Sequence, residues 1–296
     1  MRVVVGGGSG FLGGPLMAYL RDQGHEVTRL VRSGSTGDDT SPWDPAAGLV
    51  DQAVIDRADA VVNLSGAPVA HWPWTASYRN KILDSRLSCT LTLAGAIADS
   101  PRPAVLISAS GMSVYGNDRG AEKLTEDSAE GEGFLADVVR DWEAATDPAV
   151  AAGARVCHIR TSLVLHKDGG TLKAMLPIFK LGLGGKLASG DQYFSVISRH
   201  DWIRGVGFLL ADESASGAFN FANPNPATNT EFTRQLGKAV DRPTFLRVPG
   251  FAMKTVLGEL ADEVLGSLRI IPARLEAEGF GFSEPDLAST IAAALR

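Results

Sequence analysis

Three glycines early in the chain open the first chemical possibility. Gly7-Gly8-Ser9-Gly10-Phe11-Leu12-Gly13 spaces them as G-x-x-G-x-x-G, directly after a β-branched run and directly before a helical pattern. In that setting Gly7 permits a tight turn, Gly10 lets backbone approach a pyrophosphate, and Gly13 lets the helix close on the sheet. The helix N-terminus then offers free N–H groups and partial positive charge to phosphate oxygens. The plainer reading is a glycine turn made for packing. Cofactor choice is read at the end of the second strand, where an acid would hold the 2′-hydroxyl of NAD. Residues 27–37 contain no Asp or Glu; Arg32-Ser33 stands there instead, with Arg29 nearby. A guanidinium suits the 2′-phosphate of NADP, and NADP is the expected cofactor. The alternative for Arg32 is a solvated loop charge.

Further along, Ser110 follows the fourth strand at its carboxyl end, where such folds bind ligands, and its hydroxyl either meets a substrate oxygen or caps a turn. Tyr115 serves as proton donor or base if it faces the cleft, and otherwise packs. Arg86, within a long helical stretch, binds substrate or the nicotinamide side, or else makes a weak salt bridge with Asp84 or a neighbouring carboxylate. Trp72 and Trp74 flank Pro73 and either wall a planar ligand or anchor the core. His71, His158, His166 and His200 show no ligand spacing, so no metal site is expected. Asp201-Trp202 reads as a helix N-cap, and Cys157, in a strand, as a buried inert thiol.

These residues need a frame to hold them. Residues 3–5 form a short strand, and Phe11, Leu12, Leu16 and Leu20 recur at helical spacing until Gly24. Strands follow at 26–31, 60–64, 104–108 and 155–159, with helices at about 77–98 and 134–151 and a loop at 33–48. Alternating strands and helices argue for an α/β fold, a Rossmann-type doubly wound parallel sheet. After Thr161 the rhythm loosens. The expected division is a nucleotide-binding domain over 1–222, with a lobe insertion around 165–195, and a smaller, mainly helical C-terminal substrate lobe over 223–296.

Composition narrows the partners. Among 296 residues, 28 Lys and Arg face 34 Asp and Glu, a net charge of −6. Without a basic stripe to release counterions, nucleic acid and anionic membrane are not expected partners. A small-molecule substrate is expected, and a monomer or homodimer. Cys89 and Cys157 make no C-x-x-C, and the opening residues carry no apolar signal stretch, so a cytoplasmic location is expected.

Several stretches together resemble a known family. Gly7 to Gly13, Asn63-Leu64-Ser65-Gly66, and Ile107-Ser108-Ala109-Ser110 leading to Val114-Tyr115-Gly116 are similar to the extended short-chain dehydrogenase/reductases, which include nucleotide-sugar epimerases and dehydratases. Trp43-Asp44-Pro45, Trp72-Pro73-Trp74-Thr75, Arg140-Asp141-Trp142-Glu143, Arg160-Thr161, Lys173-Ala174-Met175-Leu176-Pro177, Leu181-Gly182-Leu183-Gly184-Gly185 and Leu246-Arg247-Val248-Pro249 resemble its atypical, epimerase-like subfamily, which carries a small uncharacterised C-terminal domain. The resemblance implies a nicotinamide cofactor held by Gly7, Gly8, Ser9, Gly10, Phe11, Leu12, Gly13, Arg32, Ser33, Asn63, Leu64, Ser65 and Gly66.

In active members of the superfamily a Tyr-x-x-x-Lys pair transfers the proton, the lysine charge lowering the tyrosine's pKa. Four residues after Tyr19, Tyr78, Tyr115 and Tyr193 stand Gln23, Ile82, Arg119 and Ile197, so the pair is missing. Matched through Glu143, Leu135 and Val139 occupy the two positions, and Gly111 falls where the catalytic serine is expected. Two expectations follow. The first is an NADP(H)-dependent oxidoreductase or epimerase-like enzyme acting on a small polar substrate, with Ser110, Tyr115 and Arg86 replacing the pair. The second is a catalytically silent NADP(H) sensor or partner-docking protein.

Overall fold

The computed structural model describes residues 1–32, 37–258 and 260–296. The chain first lays down β1 (Arg2–Gly6), α1 (Gly13–Asp22), β2 (Glu26–Val31), β3 (Thr40–Asp44), β4 (Leu49–Val50), α2 (Gln52–Asp56), β5 (Ala60–Asn63), α3 (Ala76–Ala98) and β6 (Val105–Gly111). A 3-10 turn (Met112–Tyr115) leads to β7 (Lys123–Leu124), α4 (Phe134–Ala144), α5 (Asp147–Ala151), β8 (Val156–Thr161) and β9 (Leu163–Leu165). Then come α6 (Gly170–Lys180), β10 (Gly185–Leu187), β11 (Val196–Ser198), α7 (Arg199–Ala211) and β12 (Gly217–Phe221). The chain finishes with α8 (Asn229–Ala239), β13 (Leu246–Val248), α9 (Gly250–Leu257), α10 (Leu260–Leu265), β14 (Arg269–Ile270), α11 (Ala273–Ala277) and α12 (Leu287–Leu295).

Eight strands form one sheet in the order β12-β8-β6-β5-β1-β2-β3-β4. Its pairs are parallel except β3 with β4. Both faces are covered, and the valines show why. Val3 and Val5 enter a core with Leu16 and Leu20 of α1 and Trp202 and Val206 of α7. Val4, between them, enters the opposite core with Leu93 and Ile97 of α3. In β5, Val62 and Val61 divide in the same way, the period-two signature of a strand buried on both sides. Strand order runs outward in both directions from β1, so the topological switch lies between β1 and β5, where doubly wound sheets bind ligands at their carboxyl ends.

Two expected elements differ. The stretch 33–48 is not all loop: β3 extends the sheet, with Thr40, Ser41 and Pro42 opposite Arg29, Leu30 and Val31. Beyond β3, β4 pairs with Trp43 and Asp44 alone, so Pro42 sits where a missing N–H costs no ladder bond on that side. The expected helix 134–151 is two helices. Pro148, in the first turn of α5, has no N–H to continue α4, and Thr146 between them is fully buried.

A separate cluster joins Leu165, Leu172, Leu176 and Phe179 to Phe232, Leu236, Leu287 and Ile291. The last residues also return to the first half of the chain: β14 pairs with β7 in a separate two-stranded sheet, and Leu275 and Phe280 enter the core beneath β12. Two carboxylates, Asp201 buried and Glu126 half-buried, hold that return in place. Asp201 accepts from the backbone N–H groups of Ser283 and Glu284 at 2.9 and 2.8 Å, and Glu126 from those of Asn220 and Arg274. Asp201 is therefore not the N-cap of α7; Ser198 is, its Oγ accepting from the Asp201 N–H.

Candidate functional site

At the carboxyl end of β1 the backbone turns through Gly7 at φ +78°, a conformation that favours glycine. A Cβ on Gly7 would stand 2.6 Å from the Leu64 carbonyl oxygen, and one on Gly13 would stand 2.3 Å from that of Gly7. The turn is closed by the Gly10 N–H donating to the Gly7 carbonyl at 3.0 Å. Ser9 and Gly10 are exposed at its crest, and no side chain caps α1, so helix-start N–H groups remain for an anion. Leu12 lies against the main core. The Phe11 ring is covered from the other side by Gly169 and Gly170, with the Arg199 guanidinium 5.5 Å from its centroid.

Beside this turn, Asn63 ends β5 fully buried, donating to Thr90 Oγ1 and accepting from the Ser65 N–H. Leu64 packs on the core, and Gly66 is exposed. Ser65 Oγ is buried without a hydrogen-bond partner, close to where a Gly6 side chain would stand. An orphaned hydroxyl beside a cradle that any Cβ would fill fits a bound dinucleotide, with ligand oxygens supplying what the protein does not. Arg32 is exposed one residue beyond β2 and, among the described residues, has neither an ion pair nor a hydrogen bond. The Arg29 stem lies over Gly8. Ser33 lies outside the described residues.

The three residues expected to serve a substrate occupy two buried networks. Ser110, 5% exposed, donates from Oγ to Glu143 Oε1 at 2.5 Å. Arg160 donates to both oxygens of the same carboxylate, from Nε at 2.9 Å and Nη2 at 2.8 Å. Burial alone would raise the Glu143 carboxyl, but the bonds from Arg160 and Ser110 and the nearby positive charge outweigh it and hold it below the ordinary range. Arg160 continues to the Tyr115 hydroxyl at 3.1 Å, and that hydroxyl donates to Asn220 Oδ1 at 2.8 Å. Tyr115 is fully buried, and burial raises its pKa. The cleft-facing role expected for Tyr115 is thus not what this geometry provides; its hydroxyl fixes Arg160 and Asn220. Ser110 touches the same network, its hydroxyl committed to Glu143.

Arg86 does not pair with Asp84. Its Nη1 donates to the carbonyls of Ala67 and Ile82, at 3.0 and 2.9 Å, and its guanidinium stands 4.9 Å from the Trp142 ring centroid. Leu135 and Val139 are both buried, and Val139 lies 3.4 Å from the place of a Gly111 Cβ. The helix face on which a tyrosine and a lysine were expected is here closed with aliphatic carbon. Trp74 is anchored, Nε1 to the Val69 carbonyl and ring edge to Phe134, whereas Trp72 is 54% exposed.

Other groups had no short-range signal in the sequence. Glu143 and Arg160 stand out as motif residues, yet nothing in their spacing joins them. Glu263 of α10 reaches Ser113 in the turn after β6; burial, with the Asp262 charge adding, pushes its carboxyl up to about 7 against the pull of the Ser113 hydroxyl. His200, Asp201 and Glu284 converge, their ligand atoms within 4.8 Å of one another. The two carboxylates already accept from Ser283, Glu284, Arg204 and Ser198, which accounts for their convergence without an ion. Cys157 is fully buried, as expected of an inert thiol, and among the described residues no helix is long and apolar enough to cross a membrane.

Fold and site together define a Rossmann-type protein with a glycine turn at the carboxyl end of its first strand. Residues 3–134 match the NAD dependent epimerase/dehydratase family, and residues 248–294 a domain of unknown function, DUF1731. The epimerase family protein Mb2239 of Mycobacterium bovis is 43% identical over 281 residues, covering 95% of this chain and 93% of its own length. The crystal structure of human epimerase family protein SDR39U1 with NADPH superposes with a TM-score of 0.89 at 33% identity, over 99% of both chains. A nucleoside-diphosphate sugar epimerase from Corynebacterium glutamicum gives 0.81 at 34% identity, over all of this chain and 58% of that one. The chain belongs to the NAD dependent epimerase/dehydratase family.

Proposed function

We propose that this protein binds NADP(H) and acts as an oxidoreductase or epimerase-like enzyme on a small polar molecule held at the carboxyl ends of β5 and β6. The observation that carries the reading is the cradle at Gly7 and Gly13, where backbone approaches so closely that no side chain fits. The N–H groups opening α1 bind the diphosphate, Arg32 grips the 2′-phosphate, and Ser65 Oγ takes its missing partner from the coenzyme. The NADPH in the human relative's structure supports that choice.

When bound, the nicotinamide supplies or accepts hydride. This chain's own contribution is to orient the ligands and manage a proton without a tyrosine–lysine pair. Ser110, Tyr115, Glu143 and Arg160 fix the turn after β6 and so act as positioning residues. A screen of small aldehydes, ketones and sugar nucleotides for NADPH oxidation tests the reading. NADPH-dependent turnover of at least one of them is expected; a screen in which none oxidises NADPH removes the enzyme reading.

The second reading is a catalytically silent NADP(H) binder. The aliphatic closure at Leu135 and Val139 favours it. Under that reading no compound is turned over, and a sensor must bind NADPH and NADP with different affinities, since equal binding shifts no equilibrium.

A further inference from the structure

An arginine this deeply buried ordinarily brings a carboxylate with it, because an uncompensated interior charge is costly. Arg160, 7% exposed, obeys that rule through Glu143. Arg86 does not. It is 8% exposed in the middle of α3, and among the described residues no carboxylate lies within ion-pair distance of it. Its Nη1 is spent on two carbonyls, whereas Nε and Nη2 have no acceptor and neither is among the atoms sealed from solvent. Burial holds the guanidinium down to about 10, so it keeps its charge at neutral pH.

The surroundings say where the missing anion comes from. The exposed Gly66 faces the guanidinium, its absent Cβ standing 3.3 Å from Arg86 Cγ and 3.5 Å from Nη1, so no side chain bars the approach. Gly66 directly follows Ser65, whose hydroxyl is the orphan beside the glycine turn. On the other side, Trp142 neighbours Glu143, the residue that holds Ser110. Arg86 therefore lies beside the turn that follows β5, between that turn and Trp142 of α4.

We propose that Arg86 binds the substrate and that the substrate carries a carboxylate, gripped side-on through Nε and Nη2, the two nitrogens that the carbonyl bonds of Nη1 leave free. Two parallel N–H groups match two carboxylate oxygens. One guanidinium also balances one negative charge, whereas a phosphate dianion would leave a charge uncompensated. The inference rests on the reading of this cleft as the substrate site. The coenzyme's own diphosphate is the rival anion, and the test separates the two.

Propionate serves as an unreactive carboxylate probe and inorganic phosphate as its rival, each titrated calorimetrically into wild type, Arg86→Met, Arg86→Lys and Gly66→Val with NADPH present; NADPH affinity is measured separately. Saturable propionate binding to wild type is expected, weakened at least tenfold in R86M and in G66V, with R86K between them because it keeps the charge and loses the fork. NADPH affinity and melting temperature in R86M should match wild type. Equal propionate binding in wild type and R86M overturns the proposal, as does wild type that binds none. Phosphate binding tighter than propionate in an Arg86-dependent way overturns the carboxylate class. A tenfold loss of NADPH affinity in R86M reassigns the guanidinium to the coenzyme. Should R86M not fold, G66V decides, since it leaves the charge in place and blocks its approach. Absence of NADPH binding to wild type would instead contradict the cleft reading itself.

Discussion

Removing Glu143 should cost this protein more than removing almost any surface acid, and the size follows from its setting. The side chains of Glu143 and Arg160 are 13% and 8% exposed and joined by two hydrogen bonds. In Glu143→Ala the guanidinium stays inside, with the Tyr115 hydroxyl and the Glu126 carbonyl as its remaining acceptors. Breaking one partner of a buried pair costs about 3–5 kcal/mol. At about 2 °C per kcal/mol for a chain of this size, the melting temperature should drop by roughly 6–10 °C. The double variant Glu143→Leu with Arg160→Met removes both charges and should recover most of that loss, because an apolar pair of similar volume is often neutral. The pH dependence has a definite sign. A folded carboxyl held below its ordinary 4.5 contributes stability that is complete above the unfolded value and lost as pH falls toward the folded one. The gap between wild type and Glu143→Gln should therefore be full at pH 7 and narrow below about pH 4.5. Scanning calorimetry at several pH values measures it. Single variants whose losses simply add in the double variant, or a gap that widens in acid, would refute the reasoning.

Two further outcomes follow from the same geometry. Gly13→Ala places a Cβ 2.3 Å from the Gly7 carbonyl oxygen and 2.7 Å from Gly8 Cα, so the turn must shift; NADPH affinity measured by calorimetry should fall at least tenfold, and an unchanged value would deny the cradle its role. Cys157 is fully buried and burial pushes its thiol up to about 11, so iodoacetamide should leave it unmodified in native protein at pH 8 and alkylate it fully in denaturant, as read by mass spectrometry. Because the folded state holds that proton more tightly, its contribution to stability is present below the ordinary 9.0 and declines as pH rises toward 11, a decline that Cys157→Ala should remove.

The glycine turn was legible because its physics is local: seven consecutive residues contain the turn, the close approach and the helix start. The buried strands were legible for a related reason, since Val3, Val4 and Val5 serve both faces of one strand. β3 was hidden because Pro42 and the acids around it carry loop chemistry, which an edge position tolerates. The carboxyl end of β6 was legible in its residues and not in their partners. Ser110 meets Glu143 across 33 positions and Tyr115 meets Asn220 across 105, and no periodicity announces such bonds. Asp201 looked like a cap from its place at a helix start; its true partners, Ser283 and Glu284, lie more than 80 residues away. Arg86 was found by residue type, but its lack of a counter-charge is visible in three dimensions alone.

Calorimetric titration of the wild-type protein with NADPH and with NADH tests the central claim most directly. Saturable NADPH binding, with NADH at least tenfold weaker and the difference lost in Arg32→Ala, is the expected result for a guanidinium that meets a 2′-phosphate. No heat with NADPH, or NADH binding equally well, would contradict it.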